Sequence, residues 1–240
     1  MEDWTLCSNE GQEMDDDFCA RENIGSTPLA ADHRVTSDAV QEHQDATTAL
    51  ENAICQELNH PPLGAFTEVP DRRGTVIEKW TRRLAKSEPT PFHALLVMDG
   101  SPVDAHFVDP LTGMPVLRSP DGADGNPTWR FYAPLSLPAD GEALAAVTLY
   151  HTAWITTTRG RVYPVPCSSS EQLAWHRWGG TPVQTAAVID ALLDDLGATV
   201  DSVRHRAVPK GLSELLGRDH MYRVELGRDV LLEARRSPTA

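Results

Sequence analysis

The chain has 240 residues, 40% of them hydrophobic, and a formal net charge of −14. This hydrophobic share is enough to form a substantial core, which excludes a chain that is disordered throughout. No apolar run reaches the roughly 18 residues of a membrane span, and residues 1–26 lack the basic and apolar regions of a secretory signal. We therefore expect a cytoplasmic protein.

The negative charge is concentrated in the N-terminal part of the chain. Residues 1–60 hold 14 acids and two arginines, a net charge of −12, whereas the other 180 residues hold 21 acids and 19 bases. Residues 1–34 are poor in aromatic side chains and include three consecutive aspartates from Asp15. Such a segment cannot bury enough apolar surface to offset its ordering entropy, so we expect a disordered acidic N-terminal arm.

A single α+β domain is predicted over residues 35–240, and its first part, residues 36–88, is helical. Apolar residues on one stripe predict a helix from 36 to about 58, which two consecutive prolines then stop. A second helix is predicted over 75–86. Four arginines lie off its apolar face, and we expect this cluster to hold the acidic arm: Arg72, Arg73, Arg82 and Arg83.

The second part of the domain, residues 90–236, mixes sheet and helices. From Phe92 the spacing of apolar residues changes from about 3.6 to about 2, which is typical of strands. Turns with Gly, Pro and Asp separate the apolar runs and predict a β-meander. The predicted strands cover residues 92–98, 103–108, 114–117, 129–135 and the end of 142–150.

Residues 153–158 and 161–165 predict a β-hairpin. Both runs are rich in β-branched and aromatic residues, and Gly160 supplies the positive φ angle that a two-residue turn needs. Such a turn places Thr157 opposite Val162. Pro164 in the second run and Pro166 just after it place that strand at an edge of the sheet or end it there.

Two helices are predicted after the hairpin. Ser168 is the predicted N-cap of a short helix that ends at a Gly-Gly pair beginning at Gly179. A longer helix is predicted over residues 181–196, because a second capping motif precedes leucine and isoleucine at i, i+3, i+4 and i+7. Gly197 occupies the position at which glycine commonly ends a helix.

The longer helix ends in an acidic pair, Asp194 and Asp195. Negative charges in a last turn oppose the helix dipole, at a cost of roughly a few tenths of a kcal/mol each. We expect the pair to lie on a solvated face that tolerates this cost.

The same region carries a resemblance. The run W-G-G-T-P, followed by A-A-V-I-D-A-L-L-D-D, resembles short uncharacterised actinobacterial proteins that have an aromatic-Gly-Gly element before a helix ending in Leu-Leu-Asp-Asp. The resemblance covers about twenty residues and implies a bacterial chain. It implies no known activity.

The C-terminal part predicts a strand over residues 199–208, a short helix over 211–216 and a closing hairpin of residues 221–226 and 230–235. Meander, helix and hairpin in this order predict an α+β fold with a mostly antiparallel sheet and packed helices.

Cys167 is the candidate catalytic residue. It directly precedes a predicted helix N-terminus, where the helix dipole lowers the pKa of a thiol and makes it a better nucleophile. A cysteine enzyme also needs a base, and the candidates are His205 and His220, the latter beside Asp219. The alternative interpretation is a buried cysteine without chemistry.

Two further patterns suggest binding sites. Gly179, Gly180 and Thr181 lead into a helix N-terminus, whose backbone N–H groups can receive a phosphate or carboxylate. Asp104 and His106 face the same way on a predicted strand, and a metal ion would need a third ligand from elsewhere, for which His93 and His151 are the candidates. Aspartates that form turns are the simpler explanation of the pattern. We therefore predict no metal site and no cofactor.

The sequence contains no complete catalytic constellation, so we expect a non-enzymatic interaction or regulatory protein that binds another protein. The alternative is a cysteine-dependent hydrolase or transferase that uses Cys167. We expect no membrane contact, and no nucleic acid, because the bases after residue 200 are nearly matched by acids. The acidic arm is expected to modulate a partner's access to basic surface, either by covering the arginine cluster or by attracting a basic partner directly.

Overall fold

The chain folds into two antiparallel sheets with helices packed against them, the predicted α+β class. The computed structural model describes residues 49, 53, 55, 56, 63–97, 102–120, 126–168, 182–203, 206–218 and 223–237. The described elements are β1 (Phe66–Pro70), α1 (Val76–Thr81), β2 (Ala85–Lys86), α2 (Pro91–Leu95), β3 (Ala105–Val108), β4 (Pro115–Ser119), β5 (Thr128–Tyr132), β6 (Leu144–Tyr150), β7 (Thr152–Thr157), β8 (Val162–Pro164), α3 (Pro182–Asp194), α4 (Val200–Val203), α5 (Lys210–Leu216), β9 (Val224–Gly227) and α6 (Arg228–Arg236). The predicted arm, residues 1–34, lies outside the described residues.

The first sheet has five strands in the order β1–β5–β4–β3–β2, and each neighbouring pair is antiparallel. Phe131 and Val116 lie opposite each other and are buried. Trp80 of α1 packs on this face, with its ring centroid 4.6 Å from that of Phe131. On the other face, Phe92 of α2 packs in one cluster with Leu117. The predicted meander is confirmed for β3, β4 and β5.

The second sheet has four strands in the order β8–β7–β6–β9. Ile155 and Val147 are paired on the face that α3, α5 and α6 cover. Trp154 lies on the opposite face, with its ring centroid 5.5 Å from that of Trp80 and 6.0 Å from that of Phe131. The two sheets therefore share an aromatic core, to which α1 contributes Trp80.

The prediction of a strand over residues 92–98 is wrong, because Pro91–Leu95 forms helix α2. Thr90 and His93 form a capping box, in which the N–H of Thr90 donates to Nδ1 of His93 at 3.1 Å. The proline follows the cap directly, at a position where its fixed φ angle favours a helix. The cap therefore outweighs the alternation of apolar residues.

The helix predicted over residues 75–86 is shorter in the structure. Helix α1 ends at Thr81, and Ala85–Lys86 instead forms strand β2, which pairs with the end of β3. Of the helix predicted over 36–58, the structure describes four residues, all of them helical: Ala49, Ala53, Cys55 and Gln56.

Two predicted strands near the C-terminus are helices in the structure. Residues 199–208 contain helix α4, and the predicted second strand of the closing hairpin is part of helix α6. Arg228, Leu231 and Arg235 follow helical spacing, and Leu231 is fully buried. Their contacts with α3, described below, favour the helix over a strand. The first strand of the hairpin is confirmed as β9, which pairs with β6.

The hairpin of β7 and β8 is confirmed, but its register differs from the prediction by one residue. Thr156, and not Thr157, lies opposite Val162. The loop has three residues, because the N–H of Thr157 donates to the carbonyl of Arg161 at 2.9 Å. Gly160 has a φ of 76°, which suits the last position of such a loop. The predicted edge position of β8 is confirmed.

The long helix predicted over residues 181–196 is confirmed as α3, and its apolar stripe is buried: Ile189, Leu192, Leu193 and Leu196. Gly197 follows it but has no positive φ angle. A Cβ at this position would lie 2.8 Å from Cβ of Ala139, so close packing rather than a left-handed turn explains the glycine. None of the helices in the described ranges is long and apolar enough to cross a membrane.

Candidate functional site

Of the predicted site residues, the structure describes only Cys167. His205 and the predicted anion site of Gly179, Gly180 and Thr181 lie outside the described residues. The structure therefore does not bring Cys167 and His205 together or separate them, and both assignments stay predictions.

Cys167 lies where the chain leaves β8 and passes the ends of two strands of the other sheet. Its N–H donates to the carbonyl of Pro134 at 3.0 Å, and its carbonyl accepts the N–H of Ala65 at 3.1 Å. The side chain is buried against Ala65 and Ala133, and Sγ lies 3.5 Å from the carbonyl oxygen of Ser168. The residue therefore joins the second sheet to the first through its backbone.

The expected N-cap, Ser168, forms an isolated antiparallel bridge with Gly64. Extended backbone is compatible with an N-cap residue. The helix that it was predicted to begin lies outside the described residues, so that prediction is neither confirmed nor contradicted.

Asp104 and His106 contact other side chains in the structure. Asp104 is bound by Arg118, and the His106 ring packs edge-on against His93 with 5.1 Å between centroids. Nε2 of His93 lies 2.7 Å from the carbonyl oxygen of Phe107, and burial lowers the His93 pKa. Within the part of the chain that the structure describes, no group of three or more His, Cys, Asp or Glu residues could hold a metal ion.

An ion pair that the sequence analysis missed connects α1 with both sheets. Asp109 is buried and accepts two hydrogen bonds from Arg83, at 3.0 and 2.6 Å, and one from Nε1 of Trp80 at 3.0 Å. Arg83 also donates to the carbonyl of Val162 in β8, and its guanidinium lies over the Tyr163 ring. Burial alone would raise the pKa of Asp109, but the bonds from Arg83 hold it below its usual value.

A second charged cluster lies at the C-terminal end of α3. Arg235 donates to both carboxylate oxygens of Asp194, each at 2.6 Å, and its Nε lies 2.7 Å from Oδ1 of the buried Asp190. Arg206 contacts the same two aspartates, at 2.5 Å from Asp190 and 2.9 Å from Asp194. The hydrogen bonds from Arg235 hold the pKa of Asp194 far below its usual value.

Arg228 adds a third cation to this end of α3. Its guanidinium donates to the carbonyl of Leu193 at 2.9 Å and to that of Leu144 at 3.0 Å. Positive charge near the C-terminus of a helix interacts favourably with the helix dipole. The expectation that Asp194 is merely solvated is therefore corrected, because arginines offset its charge although half of its side chain is exposed.

A third group of charges lies on the exposed side of α1 and on the turn before it. We call these exposed basic residues the α1 surface: Arg72, Arg73, Lys79, Arg82 and Arg223. Arg223 belongs to this surface because it donates to the carbonyl of Gly74 at 3.3 Å. Of the predicted arginine cluster, Arg83 does not belong to it, since its side chain is 18% exposed and that of Arg82 is 74% exposed.

Two carboxylates lie among the cations of the α1 surface. Glu78 accepts hydrogen bonds from the N–H of Gly74 and from Arg82, and these bonds lower its pKa. Glu225 lies 3.7 Å from Arg223. The α1 surface thus has five bases against two acids.

The fold and these charges define an α+β protein of two sheets that carries the exposed α1 surface. The chain matches no family model, no curated protein and no solved structure. Its function is therefore inferred from the contacts and charges of its own residues.

Proposed function

We propose that this protein is a non-enzymatic interaction or regulatory protein that binds another protein through the α1 surface. The observation that supports the proposal is the surplus of exposed positive charge there. The chain outside residues 1–60 carries a net charge of −2, whereas the α1 surface has a local surplus of three positive charges.

The neighbouring charges support this assignment, because they are used within the fold. Asp71 and Asp104 both bind Arg118, and Asp109 binds Arg83. Arg72 and Arg73, in contrast, extend from an exposed turn. Exposed cations of this kind steer and orient a charged partner more than they stabilise the fold.

The proposal is tested on a heparin column, which serves as a general polyanion. We expect the R72E/R73E variant of the full chain to elute at lower salt than the natural chain. The variant R218E/R236E changes the net charge equally at two other exposed arginines and is the matched control. Equal shifts of the two variants would show that the α1 surface has no special role.

The alternative function, a hydrolase or transferase that uses Cys167, makes a different prediction. The contacts of Cys167 favour a structural role, and an added Cβ on Gly64 would lie only 2.4 Å from its carbonyl oxygen. We expect iodoacetamide to leave Cys167 unmodified in the native chain up to about pH 8, as peptide mass mapping would show. Modification well below that pH would instead support an activated thiol.

A cytoplasmic location and a bacterial origin are part of the same proposal. The four cysteines of the chain are far apart, unlike the dense disulfide frameworks of small secreted domains. The resemblance around residues 178–195 supports the bacterial origin.

A further inference from the structure

We propose that the partner of the α1 surface is an acidic polypeptide segment, which presents carboxylates separated by neutral residues. This inference rests on the proposed function and names the partner's chemistry. Nucleic acid is the other polyanion that such a surface could attract, and three features of the α1 surface favour the polypeptide.

The first feature is the small size of the surface. Helix α1 has six residues, which corresponds to a length of about 9 Å. Lys79 in the helix and Arg82 just after it lie three residues apart, and Arg73 lies in the turn just before the helix. Duplex DNA carries a charge about every 1.7 Å along its axis and is bound by longer basic stripes. A surface of this size matches a few acidic side chains.

The second feature is the pair of carboxylates among the cations. Glu78 is held by Gly74 and Arg82, and Glu225 lies 3.7 Å from Arg223, so the surface includes two negative charges. A phosphate backbone is charged at every step and must pass close to them. A polypeptide has neutral residues that can face Glu78 and Glu225 while its own carboxylates contact the arginines.

The third feature is the chemistry of the cations. Four of the five bases are arginines, whose planar guanidinium groups can bind a carboxylate through two parallel hydrogen bonds. Arg82 uses Nη2 for Glu78, and its side chain is largely exposed. It therefore has further N–H donors directed to solvent that a partner's carboxylate can reach.

The charge of the whole chain acts in the same direction. The net charge is −14, so a long polyanion that extends beyond the α1 surface is repelled over about 10 Å at 0.1 M salt. A short acidic segment ends within the surface and experiences less of this repulsion.

The inference is tested by fluorescence anisotropy with the full chain and labelled probes of equal charge. The probes are a polypeptide of alternating glutamate and glycine and a single-stranded oligonucleotide, each with about six negative charges. We expect the polypeptide to bind about tenfold more tightly than the oligonucleotide. The R72E/R73E variant should weaken its binding about tenfold, and R218E/R236E less than about twofold.

The outcomes separate this inference from the proposed function. Equal or tighter binding of nucleic acid, lost in R72E/R73E, would overturn the acidic polypeptide and leave the α1 surface as the contact surface. Polypeptide binding that R72E/R73E and R218E/R236E weaken equally would overturn the α1 surface itself. Failure of the polypeptide to bind at low salt would overturn the inference directly.

Discussion

The C-terminal end of α3 and the α1 surface both bring charged side chains together, with opposite results. At the end of α3, three arginines meet Asp190, Asp194 and two backbone carbonyls, so each guanidinium has partners within the fold. On the α1 surface, five bases face two acids. The comparison shows that the position of a charge in the fold, and not its presence in a helix, determines whether it stabilises the chain or remains available to a partner.

The largest expected effect comes from removing packing beneath α3. Leu192 is 1% exposed within the main core cluster, and Leu192→Ala should lower the free energy of unfolding by about 2 to 5 kcal/mol. Val183→Ala on the same helix is the control. Val183 is 50% exposed, so this substitution should lower the free energy of unfolding by less than about 0.5 kcal/mol. Urea unfolding measures both. A loss below about 1 kcal/mol for Leu192→Ala would show that this stripe is not packed.

Arg82 and Arg83, which directly follow α1, allow the comparison to be tested at two adjacent residues. Arg83→Ala leaves Asp109 buried without its cation and should cost about 3 kcal/mol of unfolding free energy. Arg82→Ala removes only an exposed ion pair with Glu78, so it should change the free energy of unfolding by less than about 0.5 kcal/mol. Chemical denaturation of the two variants under identical conditions gives the difference. Similar losses would contradict the separation of Arg83 from the α1 surface.

The charges at the end of α3 predict a dependence on pH. Arg235 lowers the pKa of Asp194 below the unfolded value of 3.8, so the stabilisation is complete above that value and is lost as pH falls below it. Asp194→Asn should cost about 1 kcal/mol near neutral pH, because half of the side chain is exposed to screening solvent. The difference in unfolding free energy between the natural chain and this variant should be smaller at about pH 3 than near neutral pH. A difference in unfolding free energy that is constant over this pH range would show that Arg235 does not stabilise the ionised form of Asp194.

The smallest effect is expected from deleting residues 1–34. The deletion removes nine acids and two arginines, which changes the net charge from −14 to −7. The melting temperature should change by less than about 2 °C, because such a segment buries little surface. Affinity for an acidic peptide should rise about twofold to threefold at low salt and less at high salt. Unfolding of the truncated chain would contradict the predicted domain boundary.

The elements that the sequence predicted correctly have local causes. The apolar stripe of α3 repeats within the helix itself, and Gly160 is required by its own loop. Pro164 of β8 excludes a central position in any sheet. Even here the register of the hairpin differed by one residue, because a three-residue loop and a two-residue loop both use a glycine with positive φ.

The remaining features depend on residues that are distant in sequence. Asp109 and Arg83 are 26 residues apart, and Arg235 and Asp194 are 41 apart, so no spacing rule connects them. The local sequence pattern predicts a strand where the structure has helix α6. The contacts of its arginines with α3 favour the helix, and a pattern within one segment contains no information about such distant contacts. Helix α2 has a recognisable signal, an N-cap threonine followed by proline. However, the third residue of its capping box is histidine rather than the usual glutamate.

The contact of Arg83 with the carbonyl of Val162 has a consequence for how the protein unfolds. It joins a helix of the first half of the chain to an edge strand of the second, beside the shared Trp80 and Trp154 core. Neither sheet can open while the other stays intact without exposing the Asp109 carboxylate or these rings to water. Native-state hydrogen exchange should therefore find the central strands of both sheets in one cooperative unit, whose amides exchange with a common free energy of opening.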